Sequence, residues 1–520
     1  MKQLIIHGHF YQPPRENPWT FVVDAEPDAA PFHDWNERVT AECYQPNSAV
    51  RLVDENNIER VVNNYGLISF DFGPTLLSWL EREHPETYGR IIAADVESAS
   101  RYSGHGNAIA QAYSHPILPL CNERDLRTQV RWGLADFRHR FKREAEAIWL
   151  SETACNDEVM GVLIAEGLRF VILAPQQAEK SRTDIPVCPS SPDATVASSG
   201  WTNVAGGKID TSIAYRYFHR DGSSRSIAVF FYDQDLAAAI AFERALTSSG
   251  ALLDRFERAP IGTGSLVNVA TDGESYGHHH KFGDLCLAYA LDVEAAGRGF
   301  SVTNYGEYLD HHPPVVEVAI SSGPRGQGTS WSCIHGVGRW TEDCGCSTGG
   351  GANWNQAWRR PLRAALDLLR DEAARQFEET RGDLFIDPWI ARDESIELIL
   401  NPEKSREVFL SEFSPRALTR LEQIRALVFL EMQRNTLLMY ASCGWFFNDI
   451  AGLEPVQVMK YACRVIDLME QPGVKSPRER FLEILAEAQS NRPETGNGAD
   501  IYKRMVESVR TYSNSDLIYS

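Results

Sequence analysis

No apolar run in this chain approaches the roughly 20 residues needed to cross a bilayer, so no membrane partner is expected. Cations are also scarce. Lys and Arg number 51 against 71 Asp and Glu, a formal net charge of -20. Phosphate backbones are gripped by clustered cations, so nucleic acid is not an expected partner either. The opening segment lacks the pattern of an export signal. Its one lysine, Lys2, is followed by a short apolar run that His7 and His9 break, and there is no small-residue cleavage site. A cytoplasmic setting is expected, in which most of the ten cysteines are thiols buried as small apolar side chains. Internal repeats and low-complexity tracts are missing as well. What remains is ordinary globular composition, 43% hydrophobic and 23% charged, over 520 residues. That length exceeds one compact core and points to two domains or a large barrel with an appendage.

Seven short apolar runs recur in the first 330 residues: Leu4–His9, Leu67–Asp71, Ala108–Tyr113, Ala147–Glu152, Phe170–Ala174, Ile227–Phe231 and Leu266–Ala270. Near-continuous apolarity over such lengths fits strands buried on both faces, as in a parallel sheet. Helical stretches between several of them favour an α/β barrel. The polar residues able to do chemistry, His7, His9, Glu152, Asp272 and Glu274, sit at the C-terminal ends of these runs. In βα barrels those ends face the active site.

From about Ser321 to Gly351 the composition shifts to Gly, Ser, Cys and Trp, which reads as a long structured loop. Beyond it Trp354, Trp358, Leu362, Leu366 and Leu369 recur at helical spacing. Ser414-Pro415 reads as a cap and first-turn proline before Leu418, Leu421, Leu427 and Leu430, and Ser476-Pro477-Arg478-Glu479 as a capping box. The expected plan is a barrel over 1–320, a Cys/Gly/Trp-rich loop over the active site at 321–360, and a helical domain over 361–520.

Cleaving a glycosidic bond with retention requires two carboxyl groups roughly 5 Å apart, one attacking and one protonating the leaving oxygen. Glu152, beside Trp149, and the acids of Asp272-Gly273-Glu274 end two different strands. Either acid alone would read as a helix cap or surface charge. Two at matching strand ends, with aromatic neighbours, weaken that plain reading without removing it.

Four segments in order then carry a resemblance to glycoside hydrolase family 57, in the subgroup whose C-terminal half is a domain of unknown function. They are Ile6-His7-Gly8-His9-Phe10-Tyr11-Gln12-Pro13-Pro14; Gly106–Leu120 with its tail His115-Pro116-Ile117-Leu118-Pro119-Leu120; Trp149-Leu150-Ser151-Glu152; and Asp272-Gly273-Glu274-Ser275-Tyr276-Gly277. Phe10 and Tyr11 separate His from Gln in the first, and Asn107 or Ala108 stands where the family often has Glu. The resemblance implies a distorted seven-stranded (β/α) barrel followed by helices, and double displacement on α-glycosides with Glu152 as nucleophile and Asp272 as acid/base. It places Gln12, His115 and His278 with His7, His9, Trp149 and Glu274 on the substrate side. The substrate partner is then an oligo- or polysaccharide, by default an α-glucan, and no cofactor is implied.

Three further groups remain. Three consecutive histidines, His278-His279-His280, point in different directions and do not suit one ion. In the loop, Trp331, His335 and Trp340 are read as lining sugar subsites. Cys333, His335, Cys344 and Cys346 offer the ligand types of a tetrahedral metal site as the competing reading, although the one-residue gaps depart from the usual two. In Ser442–Asp449 the choices for sugar contact are Trp445 and Asp449, against an aromatic helix–helix core. Hydrolysis and transfer to another sugar, as in a glucanotransferase or branching enzyme, share one intermediate and stay open. A metal-dependent polysaccharide deacetylase fits poorly, since no strand-end Asp-Asp pair exists, and an inactive carbohydrate-binding protein conflicts with two retained acids. Oligomeric state is not legible.

Overall fold

The computed structural model describes residues 1–54, 57–183, 200–260, 262–401, 405–470 and 476–510; Cys188 lies outside them. Contacts divide the chain into two units. The first comprises Met1–Gln12, Ala25–Ala112 and Phe137–Ile334, and the second Pro13–Asp24, Tyr113–Asp136 and His335–Ser520. The linear plan read from sequence, with cuts at 320 and 360, differs from this. Two segments that follow early strands, 13–24 and 113–136, group with the later residues. A loop leaving a strand can join any neighbouring core, and composition along the chain carries no record of which.

All seven apolar runs of the first unit contain strands: β1 (Lys2–Phe10), β2 (Ser69–Phe72), β3 (Ala110–Gln111), β4 (Ile148–Trp149), β5 (Phe170–Leu173), β6 (Ser226–Phe231) and β7 (Leu266–Asp272). Their pairings are parallel. β1 lies between β7 and β2, with His9 level with Asp272 on one neighbour and Asp71 on the other. Single bridges, Phe70 to Ala108 and Ala147 to Phe170, continue the path from β2 to β3 and from β4 to β5. Regular ladders join β3 to β4 and β5 to β6. From β6 to β7 the link is made by hydrogen bonds instead: Asp233 N donates to Asn268 O (2.7 Å) and Asn268 Nδ2 to Phe231 O (3.0 Å). Where two-residue strands and single bridges replace full ladders the ring of pairings is irregular. A mixed extension, in which Ala214–Phe218 runs antiparallel to β6 and parallel to Glu317–Ile320, widens the sheet of β5 and β6 to six strands.

The period-two alternation of strands decides what faces inward. Ile5, Ala147, Trp149, Phe170, Ile172, Ala228, Phe230, Tyr232, Leu266 and Ala270 share one buried cluster with Tyr305 and Tyr308. Continuing the same parity along β1, β2 and β7 reaches His7, His9, Asp71 and Asp272. The inward columns are therefore apolar at their starts and polar at their C-terminal ends.

The second unit is mainly helical, with long helices at Arg359–Glu378, Arg420–Leu438 and Leu453–Met469. Leu362, Leu366 and Leu369 are fully buried along the first. Two cap expectations are corrected. Ser414-Pro415 starts no helix; Thr419 caps Arg420–Leu438 in a capping box with Glu422, an acid three residues on that can reach back. At Ser476 the helix begins only at Arg478, with Pro477 as N-cap and no side-chain cap, so the hydroxyl sits one position too early.

Candidate active site

The polar column ends converge around Asp71. His7 Nε2 lies 3.0 Å from Asp71 Oδ1, and His9 Nδ1 lies 2.9 Å from Asp71 Oδ2. His7 Nδ1 is also 3.0 Å from Ser69 Oγ. One buried carboxylate thus orients both imidazoles. Trp149 covers them, its ring stacked at 4.8 Å from His7 and 5.0 Å from His9. His7, His9, Asp71 and Trp149 are all buried in this arrangement, with His9 at 4% the most exposed of the four.

The electrostatics separate the two histidines. Burial lowers the pKa of His7, with Asp71 opposing and His9 adding to the fall. For His9 burial works the same way, but Asp71, then Asp272 and Glu274, outweigh it and raise the value to about 9. His9 is therefore the cation of the group at neutral pH.

Glu152 follows β4 in a short turn whose backbone is left-handed at Glu152 (φ 60°) and Thr153 (φ 49°). Such conformations cost about 1–3 kcal/mol each and persist where the surroundings over-determine them. Here Trp331 N donates to Glu152 O (3.0 Å), Cys155 and Thr329 exchange main-chain hydrogen bonds, and Thr153 is clamped by Gln177. The carboxylate itself accepts two hydrogen bonds at Oε2, from Trp331 Nε1 (2.9 Å) and Ser332 Oγ (2.6 Å). Trp331 in turn meets Trp149 edge-on at 5.2 Å and His9 at 6.3 Å. Glu152 is thereby tied to the His9–Trp149–Trp331 wall, and Asp272 stands level with His9 on the neighbouring strand.

Asp272, the last residue of β7, is exposed, and it follows six buried residues of that strand. Loss of surrounding water raises its carboxyl pKa, with the His9 cation opposing and Asp71 adding to the rise. Glu274 is buried, and burial followed by the Asp272 charge pushes its pKa to about 7. It accepts from Tyr44 OH (2.6 Å) and Tyr11 N (3.0 Å). Gln12 hydrogen-bonds Tyr44, which places it on the same network. His278 is drawn elsewhere, to Glu42 Oε2 at 2.5 Å. A cavity of about 790 Å³ in this unit is lined by Arg51, Arg60, Arg244, Lys281, His279, His280 and a mix of hydroxyl and apolar residues; among the described residues no carboxylate lines it.

A family model of glycosyl hydrolase family 57 matches residues 4–321. The chain belongs to glycosyl hydrolase family 57. As a family 57 member it is a glycosidase or transglycosylase with a carbohydrate substrate. A second model, a domain of unknown function (DUF3536), matches residues 354–515. No curated protein matches the chain. Among solved structures, an exo-type maltose-forming amylase from Pyrococcus sp. ST04 is 15% identical with a TM-score of 0.66, over 93% of this chain and 82% of that one. A 4-alpha-glucanotransferase from Thermococcus litoralis is 15% identical with a TM-score of 0.52, over 91% of this chain and 61% of the other. A family 57-type branching enzyme from Pyrococcus horikoshii is 14% identical with a TM-score of 0.52, over 93% and 88%. At such identities these likenesses speak to fold. Among the described residues no helix is long and apolar enough to cross a membrane.

The other candidate residues of this family 57 protein fall in the second unit. His115 is buried there, left-handed (φ 57°), with Nδ1 2.7 Å from Ser442 Oγ. Trp340 and Trp445 are 0% exposed and donate to the carbonyls of Ser442 and Arg359, so in this conformation a sugar could reach neither ring. Asp449 accepts from Ser490 Oγ, Asn491 N and Ala451 N and serves as a turn anchor. His335 lies beside Cys346. Sequence reasoning missed Asp71 and Ser332 as members of the site. Asp71 ended an apolar run just as Glu152 did, which was a usable signal; Ser332 offered none beyond its place next to Trp331.

Proposed function

We propose that the first unit is a retaining α-glycosidase site, with α-glucans as the substrate class, Glu152 as nucleophile and Asp272 as general acid/base. The observation that carries this reading is the contrast between the two carboxyls. Glu152 Oε2 is held by two donors, which favours the anion. Asp272 has its pKa raised, which favours the acid.

In the first step a Glu152 oxygen attacks the anomeric carbon as the bond to the leaving oxygen breaks. Asp272 gives its proton to that oxygen. In the second step Asp272 takes a proton from water, whose oxygen attacks the same carbon and releases Glu152. An acceptor sugar hydroxyl in place of water makes the same site a transglycosylase. His9, cationic beside Asp71, is placed to bind a sugar hydroxyl next to the cut, with Trp331 offering a half-buried ring. A cytoplasmic setting belongs to the proposal, supported by the lack of a disulfide among the described cysteines.

The test is turnover of aryl α-glycosides and α-glucans with the product anomer followed by NMR. Retained configuration is expected, with Asp272→Asn lowering kcat by about 10²–10⁴-fold and Glu152→Gln at least as much. Inverted product, or full activity in Glu152→Gln, overturns the assignment. Longer glucans formed alongside hydrolysis would identify transfer.

A further inference from the structure

Cys333, His335, Cys344 and Cys346 were weighed in sequence only as ligand types. Their arrangement in space is more specific. One ligand atom from each, three thiol sulfurs and an imidazole nitrogen, all lie within 4.8 Å of one another. His335, Cys344 and Cys346 belong to the second unit, and Cys333 is the residue but one before His335 on the same loop, so the cluster is local to one stretch of chain. Around a tetrahedral Zn²⁺ with ~2.3 Å bonds to sulfur, ligand atoms sit about 3.5–3.8 Å apart. Cys346 Sγ and His335 Nδ1 are 3.6 Å apart, the length of one edge of that tetrahedron.

The loop backbone is shaped to bring these groups together. Gly336, directly after His335, and Gly345, between the last two cysteines, both take positive φ (82° and 86°), which reverses the chain at each ligand pair. Gly338 lies so close to the cluster that a Cβ there would stand 3.1 Å from Cys344 Cβ and 3.5 Å from His335 Cβ.

A second observation concerns charge. Arg339 and Arg359 are buried, and neither forms an ion pair among the described residues. Arg359 Nη1 donates to the carbonyl of Cys346 (2.9 Å), and the remaining guanidinium bonds go to the carbonyls of Phe446 and Phe447. Asp343 acts on Arg359 from nearby without an ion pair, and burying two cations with so little compensation is costly. Zn²⁺ with three thiolates and a neutral imidazole carries one net negative charge, which would offset part of that cost.

We propose that Cys333, His335, Cys344 and Cys346 form a structural zinc site. Four protein ligands close the coordination sphere, so the ion organises the loop and does not catalyse. Cys333 directly follows Ser332, the donor to Glu152, so the ion would fix the chain at that point; that consequence rests on the active-site reading, whereas the metal site does not.

The full chain, purified without chelators, is expected to contain about one zinc per molecule by mass spectrometry of the metal, released by a mercurial thiol reagent. Protein produced with Co²⁺ is expected to show thiolate-to-cobalt charge-transfer bands and the strong visible bands of tetrahedral Co²⁺. Cys344→Ser combined with Cys346→Ser is expected to lower zinc content at least tenfold, and Cys463→Ser to leave it unchanged. Wild-type protein without zinc whose thiols form disulfides or react freely overturns the site, as does cobalt in octahedral geometry. Should the double variant fail to fold, mercurial release and the cobalt spectrum on the wild type still decide. Loss of glycosidase activity in the zinc-loaded protein would bear on the active-site reading alone.

Discussion

Ser332 Oγ and Glu152 Oε2 lie 2.6 Å apart across a gap of 180 positions in sequence, and the neighbouring Trp331 indole reaches the same oxygen at 2.9 Å. A carboxylate held by two donors on one oxygen is oriented by them. Hydrogen bonds to a charged group contribute about 1.5–3 kcal/mol. Trp331→Phe keeps the ring and removes the donor, so kcat/KM on an aryl α-glycoside is expected to fall about 10–100-fold, with thermal stability nearly unchanged. A rate within twofold of wild type would show that the indole N–H contributes nothing to the reaction.

Asp71 bridges both histidines from a fully buried position. Removing one partner of a buried ion pair costs about 3–5 kcal/mol, and Asp71→Asn is expected to lose that much in urea unfolding near pH 6. The pH dependence follows from His9. Its pKa is raised in the folded state to about 9, so its contribution is complete below about 6.5 and fades as pH rises through about 9. The gap between wild type and variant should narrow above pH 9. A constant gap across that range would mean His9 is not charged.

Glu274 supplies the opposite kind of probe. Its folded pKa is raised from 4.5 to about 7, so the stability linked to its neutral form is present below pH 4.5 and is lost as pH climbs through 7. Glu274→Gln cannot ionise and still offers an oxygen to Tyr44 and Tyr11. Its melting temperature is expected to match wild type near pH 4.5 and exceed it at pH 8. Parallel melting curves at both pH values would refute the shift.

Gly273 separates Asp272 from Glu274, and a Cβ built on it would stand 2.3 Å from the Phe10 ring. Phe10 is fully buried, so it has little room to yield. Gly273→Ala is expected to destabilise by about 1–3 kcal/mol, read by denaturant unfolding, and to reduce activity through Asp272. Unchanged stability would mean that Phe10 relocates easily.

The seven inward columns were legible because burial on both faces leaves continuous apolar runs, and acids at strand ends interrupt them. The pairing of Glu152 with Trp331 and Ser332 was not, since a donor from a distant loop leaves no periodic mark. The same holds for Trp340 and Trp445. An aromatic ring suits a sugar face and a helix core equally well, and only the finding of 0% exposure places both in the interior. Ser414 and Ser476 show the finer limit, because a hydroxyl before a proline matches a cap in type while a shift of a few residues decides its role: Ser414 starts no helix, and Ser476, one position before the N-cap, accepts only from Arg478 N at 3.4 Å.

The order of residues alone determined the strand period, the polar ends of the strands and the family motifs, because these are local properties of neighbouring side chains. Which donors reach the Glu152 carboxylate, which histidines share Asp71 and which thiols meet an imidazole were decided only by tertiary structure. Those properties depend on distances and lost water between groups far apart in the chain, and such distances exist only once it has folded.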